Sequence, residues 1–258
     1  MNGILEKICR DKLPEIEAAK KALPLPELQK QAEAAPVPPD FAAALRKPGI
    51  RVIAELKKAS PSKGLIRENF DFEACAKELE EAGAAALSVL TERNYFLGSL
   101  DFLRRTVERV KIPVLRKDFI FDPYQIYEAK AAGASAILLI AAMLDDQKLH
   151  ELADVAGETG LAVLGEAHDE TELERLLNTS IGVIGVNARD LNTFQTDLGR
   201  VEKLIGMIPS SRIAVAESAI RDRDDIRSLR QAGAGAFLIG ETLMRAPRPG
   251  VALKEILS

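Results

Sequence analysis

Eight short apolar segments, each followed by a stretch with helical periodicity, are the feature that most constrains the fold of this chain. The segments are residues 51–56, 85–90, 112–116, 135–140, 161–165, 181–187, 212–217 and 235–239. Some of them, such as AILLI and AFLI, are continuously apolar, which is typical of strands buried on both faces of a parallel sheet. Eight consecutive strand–helix units predict a (β/α)8 TIM barrel of the α/β class over residues 49–258.

An open, doubly wound sheet would also show this alternation of strands and helices. Such a sheet normally carries a glycine-rich phosphate turn after its first strand. Here the first strand runs into ELKKASPSKG at residues 55–64, which is rich in lysine and lacks that fingerprint. We therefore favour the closed barrel.

Capping residues mark several of the predicted helices. Asp145, Asp169 and Asp222 stand in front of helical stretches as N-caps, and Pro123 after Asp122 predicts the start of another helix. In the stretch after the first strand, four apolar residues at helical spacing precede Gly83, which predicts the helix end. These four are Phe72, Cys75, Ala76 and Leu79.

Residues 1–48 form a separate region, a predicted N-terminal helical extension. Three prolines are expected to interrupt its helices: Pro14, Pro24 and Pro26. Its apolar residues at helical spacing are Ile4, Leu5, Ile8 and Leu13. Because periodic apolar faces usually become buried, this spacing favours a lid that caps the barrel over a solvent-exposed extension.

Composition excludes some classes of function. The 35 basic and 39 acidic residues give a net charge of −4, whereas a dedicated nucleic-acid binder is usually basic. No apolar run suggests a membrane span, and the N-terminal sequence lacks a signal-peptide core. Cys9 and Cys75 lack metal or disulfide spacing. We expect a cytoplasmic, monomeric protein with no nucleic-acid or membrane partner.

Polar side chains stand at the carboxyl ends of six of the predicted strands. They are Glu55 and Lys57, Glu92, Lys117, Glu166, Asn187 with Arg189, and Glu217. A charge beside a dry core must be solvated or paired, and active sites of (β/α)8 enzymes lie at this end of the barrel. We therefore expect these side chains to face one water-filled pocket.

Two lysines near carboxylates could supply proton-transfer groups. The pKa values of Lys57 and Lys117 would shift with their neighbours, so either could donate a proton near neutral pH. The alternative is a structural network of ion pairs around the barrel rim. If Lys117 is a rim residue, Lys117→Ala should leave the fold intact.

Small residues follow strands seven and eight and could bind an anion. Ser218, Ala219 and Gly240 would let backbone amides approach a phosphate, although plain turn chemistry explains the same residues.

The two histidines are given no catalytic role. His150 is predicted on a helix surface. His168 follows Glu166 by two residues and is a rival for the role of base, but Glu166 stands directly at the strand end, so we expect His168→Asn to cost little. No metal-ligand clustering is present.

At six stretches, in order along the chain, the sequence resembles the indole-3-glycerol phosphate synthase family. They are IAELKKASPSKG at 53–64, LSVLTERNYFLGS at 87–99, VLRKDFIFDPYQIYEA at 114–129, GVNARDLNTF at 185–194, AVAESAI at 214–220 and LIGETLM at 238–244. The resemblance implies conversion of a phosphorylated substrate, 1-(2-carboxyphenylamino)-1-deoxyribulose 5-phosphate, to indole-3-glycerol phosphate, carbon dioxide and water. It implies no cofactor and no metal.

The resemblance also implies a role for each matching residue. Lys117 would be the general acid of ring closure, Glu166 the general base of dehydration, and Lys57 a ligand of the anthranilate carboxylate and a second proton donor. Glu55, Asn187 and Glu217 would orient these groups and the sugar hydroxyls. Arg189 would support the carboxylate end, and Phe119 would pack on the aromatic part. Ser60, Ser218 and Gly240 would bind the substrate and its phosphate.

Two residues depart from the family pattern, and two other functions compete. Ala219 stands where the family usually has glycine, and Gly165 stands where a larger apolar residue is expected, which could loosen the strand. A phosphoribosylanthranilate isomerase would need a cysteine at a strand end, where neither Cys9 nor Cys75 is predicted. A barrel that only binds a phosphorylated ligand would not need Lys57, Lys117 and Glu166 together.

Overall fold

A computed structural model of the chain describes residues 3–189, 196–218 and 220–258. In these residues, eight parallel strands pair with their neighbours in chain order, and the last pairs with the first, which closes a barrel. The strands are β1 (Val52–Leu56), β2 (Ala86–Leu90), β3 (Val114–Lys117), β4 (Ala136–Ile140), β5 (Ala162–Ala167), β6 (Val183–Asn187), β7 (Ile213–Glu217) and β8 (Ala236–Ile239). The predicted (β/α)8 fold is confirmed, with each strand within two residues of its predicted bounds.

Helices follow the strands and pack around the barrel. The described residues form α1 (Ile4–Ala22), α2 (Leu25–Ala34), α3 (Phe41–Arg46), α4 (Phe72–Glu81), α5 (Leu100–Arg109), α6 (Pro123–Ala131), α7 (Asp146–Glu158), α8 (Glu170–Leu177), α9 (Leu198–Gly206), α10 (Arg223–Gln231), α11 (Glu241–Arg245) and α12 (Pro249–Leu257). A single 3-10 turn spans Ala141–Met143. None of the described helices combines the length and the apolar character needed to cross a membrane.

The capping residues act as the sequence predicts. The side chains of Asp145, Asp169 and Asp222 each accept a backbone N–H in the first turn of α7, α8 and α10. Each bond satisfies a donor that the helix itself leaves unpaired. Asp122 and Gln125 form a reciprocal capping box at the start of α6.

The helix after β1 shows how the barrel core is completed. α4 buries the four predicted residues, Phe72, Cys75, Ala76 and Leu79. It ends just before Gly83, whose φ of 100° suits a residue without a side chain. The buried faces of the strands and of such helices form one continuous core.

The N-terminal extension is helical, but Pro14 does not interrupt it. α1 continues through Pro14, which is exposed, and buries Ile8, Lys12 and Ile16 instead of the predicted Leu13. A proline inside a helix costs about 3 kcal/mol, so tertiary packing of the buried face must outweigh that cost. Leu13 is 50% exposed.

The other two prolines fall where a helix tolerates them. Pro24 is the residue before α2, and Pro26 lies in its first turn. There the missing N–H would have no helical partner in any case.

α1 is attached to the loops that follow β2 and β3. Lys20 forms an ion pair with Asp122, 2.7 Å apart, and the Tyr124 hydroxyl donates to carbonyl oxygens at the end of α1. The Tyr95 hydroxyl hydrogen-bonds Asp11. α1 therefore contacts segments that follow the carboxyl ends of β2 and β3.

Candidate active site

One cavity of about 1180 Å³ opens at the carboxyl ends of the strands. The eleven residues to which the family resemblance gives a role all line it: Glu55, Lys57, Ser60, Lys117, Phe119, Glu166, Asn187, Arg189, Glu217, Ser218 and Gly240. The barrel brings them together because each lies at or near the end of a strand, where parallel strands present their side chains to the same mouth. Cys9 and Cys75, the residues an isomerase would need, are not among the described lining residues.

Lys117 forms the centre of this site. Its Nζ lies 3.0 Å from Glu166 Oε2 on β5 and 2.6 Å from Glu217 Oε2 on β7. The Lys117 side chain is only 13% exposed, and both carboxylates are buried. Lys117 is therefore a largely buried residue inside the cavity and not the rim residue that the sequence suggested.

Burial and pairing move the pKa values of these groups in different directions. Burial alone would lower the pKa of Lys117, but the carboxylates of Glu166, Glu217 and Glu55 raise it above its ordinary value. Burial would raise the pKa of Glu166, yet Lys117 and His168 outweigh that effect and lower it. Lys117 is therefore held protonated and Glu166 ionised near neutral pH.

Glu217 behaves differently from Glu166. Burial raises the pKa of Glu217 to about 8, and although Lys117 opposes this, the negative charge of Glu166 adds to it. Two carboxylates that share one ammonium group cannot both ionise easily. Of the two carboxylates, Glu217 is therefore the one that takes up a proton more readily.

A second ion pair lies on β1. Glu55 is buried, and the ammonium group of Lys57 pairs with its carboxylate. The space that the Glu55 carboxylate occupies is left free by Gly240, since a β-carbon there would lie 2.3 Å from Glu55 Oε1. Gly185 leaves space for Glu217 in the same way, since a β-carbon at Gly185 would lie 2.1 Å from Glu217 Oε1. Each glycine lets an inward-pointing carboxylate fit beside it.

Gly240→Ala is expected to lower kcat at least about tenfold, because overpacking displaces Glu55 and with it the partner of Lys57. Steady-state kinetics with a melting curve would measure this. Gly182→Ala is the matched control, since a β-carbon at Gly182 meets nothing within 4 Å. Equal activity of both variants would contradict the role given to Gly240.

The cationic end of the cavity is organised around Arg189, which follows β6. Its backbone N–H donates to Asn187 Oδ1 at 3.0 Å, and its Nη1 donates to Ser62 Oγ at 3.1 Å. Glu241 Oε2 lies 3.7 Å from Arg189 Nη2, and Glu241 Oε1 lies 3.7 Å from Lys63 Nζ. Arg189 is thus fixed by neighbours while its charge stays on the cavity.

Ser218 adopts a conformation that is uncommon for a residue with a side chain. Its φ is 65°, directly after β7, on the cavity wall. Strained backbone of this kind persists only where the surrounding structure holds it, and it clusters at ligand sites. Ala219, the residue that departs from the family pattern beside it, lies outside the described residues.

An apolar wall faces the charged groups. The rings of Phe96 and Phe119 lie 5.9 Å apart, and residues of α1 complete the wall: Ile4, Leu5 and Ile8. The sequence analysis missed Phe96, although it lies in one of the resembling stretches. Ile4, Leu5 and Ile8 belong to the apolar face from which the sequence analysis favoured a lid.

Glu92 is not part of the cavity, contrary to the expectation for polar strand ends. It is buried after β2 and accepts the backbone N–H groups of Asn94, Tyr95 and Phe96 at 2.6–3.0 Å. Its charge stabilises the loop that carries Phe96.

The histidines differ from each other in environment. His150 is exposed on α7. His168 is buried, with Nε2 3.3 Å from Glu166 Oε1 and Nδ1 3.0 Å from Glu172 Oε2. It follows β5 as predicted, but it contacts the predicted base, which the sequence analysis did not anticipate.

Gly165, the second departure, is explained by its neighbours. A β-carbon there would lie 2.9 Å from Leu176 Cδ2 and 3.2 Å from Ile181 Cγ2. These side chains fill the space of the missing one, and Gly165 still pairs with Leu139 and Ile184 on either side. In the described part of the chain, no group of three or more His, Cys, Asp or Glu is placed to hold a metal ion.

Comparison with known proteins agrees with this geometry. Two solved structures share the fold at 14% identity. Orotidine 5'-phosphate decarboxylase from Pyrococcus horikoshii OT3 has a TM-score of 0.62, over 80% of this chain and 97% of that one. Thiamine phosphate pyrophosphorylase from Pyrococcus furiosus has a TM-score of 0.59, over 82% of this chain and 95% of that one. Likeness at this identity concerns the fold alone.

Sequence comparison is more specific. The indole-3-glycerol phosphate synthases of Koribacter versatilis (strain Ellin345) and Polaromonas naphthalenivorans (strain CJ2) are 51% and 47% identical to this chain, over 100% and 99% of both sequences in each pair. The family profile described as indole-3-glycerol phosphate synthase matches residues 5–256. The chain therefore belongs to the indole-3-glycerol phosphate synthase family.

Proposed function

We propose that this chain converts 1-(2-carboxyphenylamino)-1-deoxyribulose 5-phosphate to indole-3-glycerol phosphate, carbon dioxide and water. The observation that carries the proposal is the position of Lys117, an ammonium group held between Glu166 and Glu217 inside the cavity. Indole fluorescence that appears on addition of this substrate to the purified protein would test it. Absence of product at high protein concentration would reject it.

Lys117 is proposed as the general acid of ring closure. When the aryl carbon attacks the ketone carbon, negative charge develops on the ketone oxygen, and a nearby ammonium group stabilises it and transfers a proton. A raised pKa keeps Lys117 charged before the substrate arrives. Loss of carbon dioxide then restores the aromatic ring.

Glu166 is proposed as the general base of the dehydration. Its lowered pKa keeps it ionised, so it can accept the proton that is removed as the hydroxyl group leaves. Once Lys117 has given up its proton, Glu166 loses part of the charge that lowers its pKa and becomes a stronger base. Lys57, paired with Glu55, is proposed to bind the anthranilate carboxylate and is a second candidate donor to the leaving hydroxyl.

The remaining lining residues are proposed to orient the substrate. Asn187 donates to Glu166 Oε1 at 3.3 Å, and Phe119 would pack on the aromatic ring. Ser60, Ser218 and Gly240 would bind the sugar and phosphate through hydroxyl and backbone N–H groups. The proposed assignments use only groups that already line one cavity.

Substitution of Arg189 by Gln is expected to raise KM more than it lowers kcat. Arg189 is proposed to place the carboxylate, an interaction present in both the ground state and the transition state. Initial rates over a range of substrate concentrations separate the two constants. A large fall in kcat with unchanged KM would instead indicate a chemical role, and the exposed Arg227 on α10, as Arg227→Gln, is the control.

The N-terminal extension, residues 1–48, is proposed to cap the barrel formed by residues 49–258. Lys12 of α1 lies buried 2.8 Å from Asp118, the residue after Lys117, and Ile8 of α1 lies on the cavity wall. A cap in this position would exclude water from the aromatic end of the substrate.

A further inference from the structure

We infer that His168 is a positioning residue for the proposed base: its buried ring faces Glu166 Oε1 across 3.3 Å and holds that carboxylate toward the cavity. The inference rests on the base role proposed above for Glu166. His168 is the first residue after β5 and is 8% exposed. Glu166 lines the cavity, whereas His168 is not among the described lining residues. His168 can therefore act on the reaction only through another group.

The imidazole ring is fixed from its outer side by one carboxylate oxygen. Glu172 Oε2 accepts the backbone N–H of His168 at 2.8 Å and lies 3.0 Å from Nδ1. Glu172 belongs to the first turn of α8, where its own N–H is capped by Asp169. Because an ionised carboxylate only accepts hydrogen bonds, Nδ1 carries a proton.

The inner side of the ring meets Glu166. Nε2 is buried and lies 3.3 Å from Glu166 Oε1, an ion-pair contact, and it makes no aligned hydrogen bond with any described residue. Asn187 Nδ2 approaches the same oxygen at 3.3 Å, while Lys117 holds the other oxygen, Oε2, at 3.0 Å. The two oxygens of Glu166 are thus held by different neighbours.

Charge makes this arrangement more than a packing contact. Burial would lower the pKa of His168, but the neighbouring carboxylates of Glu166 and Glu172 raise it to about 10. An imidazolium ring has no free lone pair, so His168 itself cannot be the base. Lys117 and Glu217 are the other titratable groups that face Glu166.

The consequence concerns the moment when Lys117 turns to the substrate oxygen. Glu166 then loses the cation on Oε2 but keeps the imidazolium on Oε1. The carboxylate stays ionised and stays in place for the later proton transfer. Without His168, the buried Glu166 would be free to rotate or to take up a proton before dehydration.

His168→Gln should lower kcat about tenfold, with KM changed by less than about twofold, because a misplaced base slows the chemical step and not binding. Loss of the cation raises the pKa of Glu166, so the acid limb of the pH profile of kcat should move to higher pH. His150→Gln on the exposed face of α7 is the matched control. A lower melting temperature with an unmoved acid limb, or an unchanged kcat, would overturn the inference.

A second measurement does not depend on turnover or on the folding of His168→Gln. The chain has two histidines, so NMR can follow both rings, with His150→Gln to assign them. The pH midpoint of the His168 titration should fall in Glu172→Gln and in Glu166→Gln. It should stay unchanged in Glu174→Gln, which alters an exposed residue of α8. A midpoint that is the same in all variants would overturn the contact. If the midpoint moves while Glu166→Gln keeps full activity, the proposed base role fails instead.

Discussion

Lys117→Met is expected to lower kcat/KM at least about a hundredfold, since it removes the proposed proton donor and keeps a side chain of similar length. The physical reason is the charge that develops on the ketone oxygen, which the proposal assigns to Lys117, a cation held between two carboxylates. Product fluorescence at saturating and at low substrate concentration measures the effect.

The control for this substitution is Lys111→Met. Lys111 is exposed before β3, at the opposite end of the same strand. Activity of Lys117→Met within a few-fold of the parent would reject Lys117 as the acid.

The burial of Lys117 changes what Lys117→Ala should do to stability. The sequence analysis expected an intact fold. In the structure, the alanine variant would leave two buried carboxylates without their cation, and breaking a buried pair in this way costs about 3–5 kcal/mol. Proton uptake by Glu217, whose pKa is already raised to about 8, would recover part of that cost. A melting curve of Lys117→Ala at neutral and at acidic pH would show whether the loss is smaller at acidic pH.

Glu166→Gln is expected to abolish formation of indole-3-glycerol phosphate while release of carbon dioxide continues for the first turnover. The amide keeps the size of the side chain and removes the charge that would accept the proton during dehydration. Ring closure and decarboxylation, which the proposal assigns to Lys117, remain possible.

Single-turnover experiments with substrate labelled in its carboxylate would measure both products separately. Glu174→Gln, an exposed residue on α8, is the control. Equal loss of carbon dioxide and of indole product would show that Glu166 acts before dehydration. Full activity would remove it from the mechanism.

Much of the fold could be predicted from the sequence because its signals are local. Continuous apolar strands such as AILLI and caps such as Asp145 each depend on neighbours a few residues away. Closure of the barrel then brings most of the polar residues at the carboxyl ends of the strands to one mouth.

What the sequence could not supply depends on long-range packing. Pro14 was expected to interrupt a helix, but the buried face of α1 overrides that local preference. Glu92 follows β2 as the other polar residues follow their strands, yet it turns to the loop and not to the cavity. The pairing of His168 with Glu166 requires knowledge of both side-chain directions, which spacing alone left open.

Gly185 and Gly240 have a practical consequence for anyone who wishes to transplant this set of charged groups onto another barrel. Copying Glu55 and Glu217 alone would fail, because any β-carbon at the facing positions would occupy the place of their carboxylate oxygens. The vacant side-chain positions are as much a part of the arrangement as the charges. A scaffold should therefore be chosen first for glycine next to β1 and β7, and only then for its strand ends.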